Sequence, residues 1–227
     1  LLADFHARNT VAVALLGLAG IVTRRSFYFI PASGEPTALV HAIEKAKFTA
    51  VPGRQILFSG YAQLEEELGR LLKQSRRIAM EYSPHGRLPY IGLVDAGTIE
   101  LIRGMGPDVV SSADLVASFQ ACLSVEQIAS HRIAARNCLE IKDKAFALIA
   151  GALREGRSIT EFDVCRYILE QFEAYDMPTA CGPNCSVDAN AGDPHYEPDA
   201  THSAPIRKGQ LVLLDLWGRL KHDVGVY

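Results

Sequence analysis

The sequence predicts an α/β protein of the mixed α+β kind with two domains, and three observations carry this prediction. Strand-like and helical patterns alternate over residues 1–122, which is typical of a mixed α/β domain. A long amphipathic pattern then begins near residue 124 and predicts a linking helix. An apolar strand near the end of the chain runs into a carboxylate, Asp215. We therefore expect one domain at residues 1–122 and a second at residues 123–227.

The first domain is predicted from short segments of contrasting pattern. SFYFI and ALVHAI, separated by the turn-rich PASGEPT, predict a β-hairpin within residues 22–43. Leucines at helical spacing predict a helix from Tyr61 to Gln74, and RRIAMEY after it is typical of a short buried strand. The turn GMGP ends a further helix, DVV follows as a strand, and residues 111–114 form a capping signature that opens another helix.

The second domain is predicted to begin with two capped helices. Ser and Gln at the ends of residues 124–127 form a capping box, and the apolar pattern that follows stops at Gly156. Thr and Asp at the ends of residues 160–163 cap a second helix that extends to about Ala174. Residues 177–208 are rich in Pro, Asn, Asp, Gly and His, which predicts a long polar loop or a loosely stranded segment. Such segments in compact domains are usually functional or disordered.

Composition and charge exclude several classes of partner. The 227 residues are 48% hydrophobic and 22% charged, which is enough for a real core. With 23 basic and 26 acidic residues, the chain has a formal net charge of -3 and lacks the excess of positive charge that is typical of proteins that bind nucleic acid or an anionic membrane. The apolar run VAVALLGLAGIV has about twelve residues, short of the ~20 that a spanning helix needs, and is interpreted as core. We expect no nucleic-acid and no membrane partner.

The cysteines indicate a reducing environment. They are odd in number and scattered in a chain too large to need disulfide staples, so a cytoplasmic location is expected. The five are Cys122, Cys138, Cys165, Cys181 and Cys185. CGPNC lacks the second pair that a structural zinc site would need, so its thiols are interpreted as ordinary. No initiator Met is present, and Leu1 is not expected to be the biological start.

The strongest chemical signal is the segment GQLVLLDLWG at residues 209–218. An ionised side chain at the end of a buried strand costs several kcal/mol unless a cation or a hydrogen-bond donor compensates it. With the polar RLKHD and the final VGVY, the segment predicts a hairpin over residues 209–227, in which the position facing Asp215 falls near Val226 or just beyond Tyr227. Paired carboxylates on neighbouring strands hold hard divalent cations, because their oxygens converge from fixed backbone positions.

His195, in DPHYEPD, precedes Asp215 in the loop that feeds this strand. A histidine near a metal site can donate a proton or a hydrogen bond to a substrate carbonyl or to the developing oxyanion. Taken alone, a strand-end aspartate is more often a turn or edge residue, and a loop histidine is more often solvated. His202 and His222 are interpreted in that second way.

Taken together, the order of these features resembles a known family. NAGDPHY followed by IRKGQLVLLDLWG is similar to the segment N…HY…(R)xGDLVLIDxG of the creatinase, aminopeptidase P and prolidase family. A mixed α/β domain, a long linking helix and a second helix precede the segment, as they do in that family. The resemblance implies a creatinase-like N-terminal domain followed by the first part of a pita-bread catalytic domain.

The resemblance also implies roles for individual residues. Asp215 matches the first aspartate ligand of a two-metal site, and His195 matches the histidine that contacts substrate and stabilises the reacting carbonyl. The family's other ligands, an Asp, a His and two Glu, would all follow Tyr227, so the chain is expected to be truncated within the catalytic domain. Asp223 lies in the expected turn and is not assigned the role of the second aspartate. Leu216 and Trp217 stand where the family has a single small or variable residue, and this bulk would narrow the pocket.

The function that the resemblance implies is a metal-dependent Xaa-Pro peptidase of the aminopeptidase P or prolidase type. Two divalent cations, manganese in the first place and cobalt or zinc otherwise, would activate a water that attacks the carbonyl before proline, while His195 helps to hold the oxyanion. The substrate would be a small proline-containing peptide, and this fragment alone is expected to be inactive.

Family members commonly form homodimers, and the apolar LPYIGLV at residues 88–94 is compatible with a dimer contact or with core packing. Two other functions stay open. One is a metal-free creatinase-like amidinohydrolase, against which the retained Asp215 argues. The other is a noncatalytic pita-bread binding module.

Overall fold

The computed structural model describes residues 1–20, 22–222 and 224–227. The chain divides into two compact units, Leu1–Cys122 and Leu123–Tyr227. Helices and small sheets occur in both units, so the predicted mixed α/β class is confirmed. A helix with the length and apolar content needed to cross a membrane is not found among the described residues.

The first unit contains a mixed sheet. Within the described residues its strands follow sequence order, β1 (Leu2–Asp4), β2 (Ser26–Phe29), β3 (Thr37–His41) and β4 (Arg54–Phe58). β2 pairs antiparallel with β3 and places Phe27 opposite Leu39, which confirms the predicted hairpin. β4 joins parallel to β3, and the chain between them forms a 3-10 helix.

Helices and a second, parallel strand pair complete this unit. They are α1 (Thr10–Leu16), α2 (Tyr61–Leu72), β5 (Arg77–Met80), α3 (Ala96–Gly104), β6 (Asp108–Ser111) and α4 (Ala113–Gln120). The predicted helix at Tyr61 is confirmed, as are the strands at RRIAMEY and DVV. Leu64, Leu68 and Leu72 form the buried face of α2 because they recur at helical spacing.

Two details of the first unit differ from the sequence-based expectation. α4 begins where the capping signature predicts, but the Ser112 hydroxyl makes no cap and donates instead to the buried Glu81 carboxylate at 3.0 Å. The apolar run at residues 11–22 is core on one face only. Ala12 and Leu18 are buried while Leu15 is exposed, since a short surface helix turns one side to water. Ile21 of this run lies outside the described residues.

The described residues of the second unit include α5 (Val125–Glu155), α6 (Glu161–Ala174), β7 (Asn184–Val187), a 3-10 helix (Asp188–Gly192) and β8 (Val212–Asp215). Both predicted capping boxes are confirmed. Ser124 caps α5 with Gln127, and Thr160 caps α6 with Asp163. These caps satisfy amide hydrogens that the first helical turn leaves without a partner.

The core of the second unit lies between the two helices and the strand pair. Its buried members include Ile141 and Ile149 of α5, Ile168 and Phe172 of α6, and Cys185 of β7. β8 adds alternate residues to this core from its inner face. Burial of these side chains, at about 25 cal/mol per Å² of apolar surface, is what holds the strand pair onto the helices.

The hairpin predicted over residues 209–227 is wrong. β8 pairs antiparallel with β7, which precedes it in the chain, and Asn184 takes the place opposite Asp215. β7 lies inside the polar segment 177–208. The composition of this segment does not indicate a strand, although three of the four residues of β7 are buried. The pairing follows from burial, because Cys185 and Val187 together with Val212 and Leu214 cover the helices only when these two strands are neighbours.

Candidate active site

Asp215 is the last residue of β8, and its side chain is exposed. Leu211, Leu213 and Trp217 are exposed as well, whereas the residues between them pack against the core. The strand is therefore half-buried, and the expectation of a buried carboxylate is wrong. Water solvates Asp215, so the carboxylate is accessible without an unpaired buried charge.

The donor chemistry at Asp215 is that of a hard-cation ligand, since carboxylate oxygens are what such ions prefer. Within residues 1–20, 22–222 and 224–227, no group of three or more His, Cys, Asp or Glu side chains could hold a metal ion. The described part of the chain thus offers one fitting ligand at this strand end. Asp223 lies outside the described residues.

His195 lies in a tight turn after the 3-10 helix Asp188–Gly192. Its backbone N–H donates to Oδ1 of Asp193 at 2.9 Å, and the N–H of Tyr196 donates to the carbonyl of Asp193 at 3.1 Å. The side chain of His195 is exposed. The backbone is thus held on both sides of His195 while its imidazole faces water.

Asn184 connects the two residues that the sequence predicts for the site. It lies opposite Asp215 in the strand pair, and its side-chain amide donates to the carbonyl of Tyr196, the residue after His195. Its own Oδ1 accepts from the hydroxyl of Ser186 at 3.0 Å. The strand that carries Asp215 and the turn that carries His195 are therefore attached to the same side chain.

Glu161 is a residue of this region that sequence reasoning missed. It is the first residue of α6 and is fully buried. Its carboxylate accepts hydrogen bonds from the backbone N–H groups of Val187 at 2.7 Å and Ala204 at 2.8 Å, from the amide of Asn190 at 3.0 Å, and from the hydroxyl of Tyr196. One carboxylate thereby joins the start of α6 to four later residues of the chain.

These hydrogen bonds shift the pKa values of Glu161 and Tyr196. Burial by itself would raise the pKa of Glu161, but the donors from Tyr196, Ala204, Asn190 and Val187 outweigh it and hold the pKa below its ordinary value. Burial and the bond to Glu161 together raise the pKa of Tyr196 to about 12. At neutral pH the site therefore contains a buried carboxylate anion held by neutral donors.

The sequence shows Glu161 as an acidic residue in the first turn of a predicted helix, and this position alone does not indicate a functional role. An acidic residue in the first turn of a helix is ordinary, because it complements the helix dipole. Asn190 and Tyr196 belong to the N…HY pattern that carries the family resemblance, and both donate to Glu161. Their common acceptor is visible only in the folded chain.

All five cysteines lie within the described residues and are free. Cys165 and Cys185 are buried, and burial raises the pKa of both thiols, that of Cys165 to about 11. Cys122 and Cys181 are exposed.

Comparison with known proteins finds one family model that matches within the second unit. Residues 134–225 match metallopeptidase family M24. The match contains His195, Asp215 and Glu161, and the predicted resemblance to the creatinase, aminopeptidase P and prolidase family is confirmed. No curated protein sequence matches the chain.

Solved structures whose titles name dipeptidases share the fold of this chain. Dipeptidase PepE from Mycobacterium ulcerans has a TM-score of 0.61 at 17% identity, over 97% of this chain and 56% of that one. A dipeptidase from Pyrococcus horikoshii OT3 has a TM-score of 0.55 at 19% identity, over 96% and 56%. An Xaa-Pro dipeptidase from Bacillus anthracis has a TM-score of 0.51 at 14% identity, over 96% and 55%. The chain spans just over half the length of these structures, and its predicted fold is confirmed by them.

Proposed function

We propose that this chain is part of a metal-dependent peptidase that hydrolyses the bond preceding proline. The observation that carries the proposal is the β7–β8 pair, which presents Asp215 on an exposed strand end and, through Asn184, holds the turn with His195. The M24 match over residues 134–225 and the titles of the structural neighbours, dipeptidases and an Xaa-Pro dipeptidase among them, support the reaction and the substrate class.

Each candidate residue has one task in this proposal. Asp215 supplies a carboxylate oxygen to a divalent cation. The bound cation, manganese in the first place, supplies Lewis-acid chemistry and an activated water. His195 donates a hydrogen bond from its exposed imidazole to the carbonyl oxygen of the scissile bond as negative charge develops there. Trp217, two residues beyond Asp215 and partly exposed, narrows the space beside the carboxylate.

The test of the proposal is manganese binding and Xaa-Pro dipeptide cleavage by the full-length protein. We expect calorimetry to show manganese uptake and proline release to follow it. Asp215→Asn should abolish both with an unchanged circular dichroism spectrum, whereas Asp143→Asn, at an exposed position of α5, should leave both intact. A full-length protein that neither takes up manganese nor cleaves the dipeptide would refute the proposal.

The role of His195 separates catalysis from metal binding. His195→Ala should lower kcat by about 10²–10³-fold, the usual effect of removing one oxyanion donor, while manganese affinity is kept. His222→Ala is the matched control, since that histidine is also exposed. Equal kcat values for the parent and His195→Ala would remove this histidine from the mechanism.

The predicted homodimer stays a prediction, and the first unit offers a surface for testing it. Within LPYIGLV, Ile91 is buried but Tyr90 is 91% exposed and Leu88 is also exposed. Sedimentation of the full-length protein with Tyr90→Ser should show a weaker dimer if this surface is the contact. An unchanged sedimentation coefficient would exclude the contact at Tyr90. The cytoplasmic location likewise stays a prediction.

A further inference from the structure

Glu161 occupies a position that the proposed reaction does not explain. Its buried carboxylate collects donors from the end of β7, from the 3-10 helix at Asn190, from Tyr196 and from Ala204. A buried anion is expensive unless hydrogen-bond donors compensate it, and an apolar side chain at this position would leave these same donors without an acceptor. The arrangement therefore calls for a role that needs these segments to meet at one point.

Tyr196 is hydrogen-bonded in this region through both its side chain and its backbone. Its hydroxyl donates to Glu161, its carbonyl accepts from the amide of Asn184, and its N–H donates to the carbonyl of Asp193. Three separate bonds thus fix both the backbone and the ring of Tyr196. His195 is the adjacent residue, and its remaining freedom is rotation of its own side chain.

We infer that Glu161 is a positioning residue, which fixes the place of His195 by holding Tyr196. The inference rests on the proposed function, because it assigns a purpose to the exact placement of a histidine that meets the substrate carbonyl. Placement matters for this purpose since a displacement of about 1 Å of a hydrogen-bonding group can cost ~10²-fold in rate. Asp215 is placed by the backbone pairing of β7 with β8, in which the Tyr196 hydroxyl takes no part, so we expect loss of that hydroxyl to leave metal binding unchanged.

Two variants of different severity test this role. Glu161→Gln keeps the shape of the side chain but replaces one carboxylate oxygen with an NH₂ group, a donor, which then faces the N–H of either Val187 or Ala204, and we expect strong destabilisation. Tyr196→Phe removes one hydroxyl and leaves the ring, so it should fold. Tyr167→Phe, at a half-buried tyrosine of α6, is the matched control.

The first measurement is independent of activity. In the full-length protein with ¹³C-labelled histidine rings, the signal of His195 is assigned by its loss in His195→Ala. We expect ring relaxation to show an ordered imidazole in the parent and in Tyr167→Phe, and a mobile one in Tyr196→Phe. An equally ordered ring in Tyr196→Phe would overturn the inference whether or not the protein cleaves peptides.

The second measurement is a double-mutant cycle on Xaa-Pro dipeptide hydrolysis. Tyr196→Phe should lower kcat roughly tenfold or more with little change in KM or manganese affinity, and should have no further effect in a His195→Ala background. A purely structural role would give the same fold loss in both backgrounds, which would refute positioning. Absence of cleavage by the parent would instead refute the proposed function, and the ring measurement would still decide the placement of His195.

Discussion

Asn184 lies directly opposite Asp215 in the antiparallel pair of β7 and β8. The backbone of Asn184 contributes to the strand pair, and its side-chain amide reaches the carbonyl of Tyr196. A metal-ligand candidate on a strand and a histidine on a polar loop are thereby attached to one residue. This arrangement explains how a loop rich in Pro, Gly and Asp can hold a side chain in a defined place.

The amide of Asn184 can be removed without breaking the strand pair. Asn184→Ala should lower the free energy of unfolding by about 1 kcal/mol, because the carbonyl of Tyr196 loses its donor, and should speed amide exchange at residues 193–204. Urea unfolding and hydrogen exchange measure the two effects. Asn137→Ala is the control, since that amide donates to the weakly accepting thioether of Met177, and it should show the smaller change.

Glu44 in the first unit should make stability depend on acid pH. Burial alone would raise its pKa, but hydrogen bonds from Thr23 and Lys47 lower the pKa to about 2 from 4.5. As the pH falls, Glu44 is therefore protonated in the unfolded chain before it is protonated in the folded chain. The stabilisation is present above pH 4.5 and is lost as the pH falls toward 2, at about 1.4 kcal/mol for each pH unit.

Urea unfolding of the parent and Glu44→Gln between pH 2.5 and 6.5 measures this dependence. The variant should be less stable at pH 6.5 and should approach the parent at low pH. Glu65→Gln, at an exposed position of α2, should follow the parent curve throughout. A constant difference between parent and Glu44→Gln across the pH range would contradict the expectation.

The cysteines should react in the order of their exposure. The raised pKa of Cys165, about 11, and its burial leave only ~10⁻³ of its thiol ionised at pH 8, and Cys185 is fully buried with a raised pKa. Ellman's reagent should therefore modify Cys122 and Cys181 quickly in the native chain, and Cys165 and Cys185 only after unfolding. Rapid native labelling of a triple variant with Cys122→Ser, Cys138→Ser and Cys181→Ser, which keeps only Cys165 and Cys185, would show that the core thiols are accessible.

Helix α6 allows a matched test of core packing. Ile168 is fully buried between α5 and the strand pair, whereas its neighbour Leu169 is 43% exposed. Ile168→Ala should lower the free energy of unfolding by about 2–5 kcal/mol through lost burial and a residual cavity. Leu169→Ala should cost less than about 1 kcal/mol, since most surface substitutions change little. Similar losses in both variants, measured by urea unfolding, would place α6 in a different orientation.

The sequence by itself determined the elements whose signals are contiguous. The boxes at Ser124 and Thr160 were predictable because a cap and its partner lie three residues apart in the chain. The β2–β3 hairpin was predictable because its turn residues lie between its strands. Asp215 and His195 were singled out by a family pattern, and their catalytic roles stay a prediction.

Only the tertiary structure decided which segments meet. β8 could not be assigned to β7 from pattern alone, since Asn184–Val187 is a four-residue strand inside a polar stretch and its pairing depends on burial against α5 and α6. Glu161 was hidden for the same reason, because its hydrogen-bond donors lie 26 residues away at Val187 and 43 residues away at Ala204. Contacts over such separations form when a shared core brings the segments together, and local sequence patterns do not specify them.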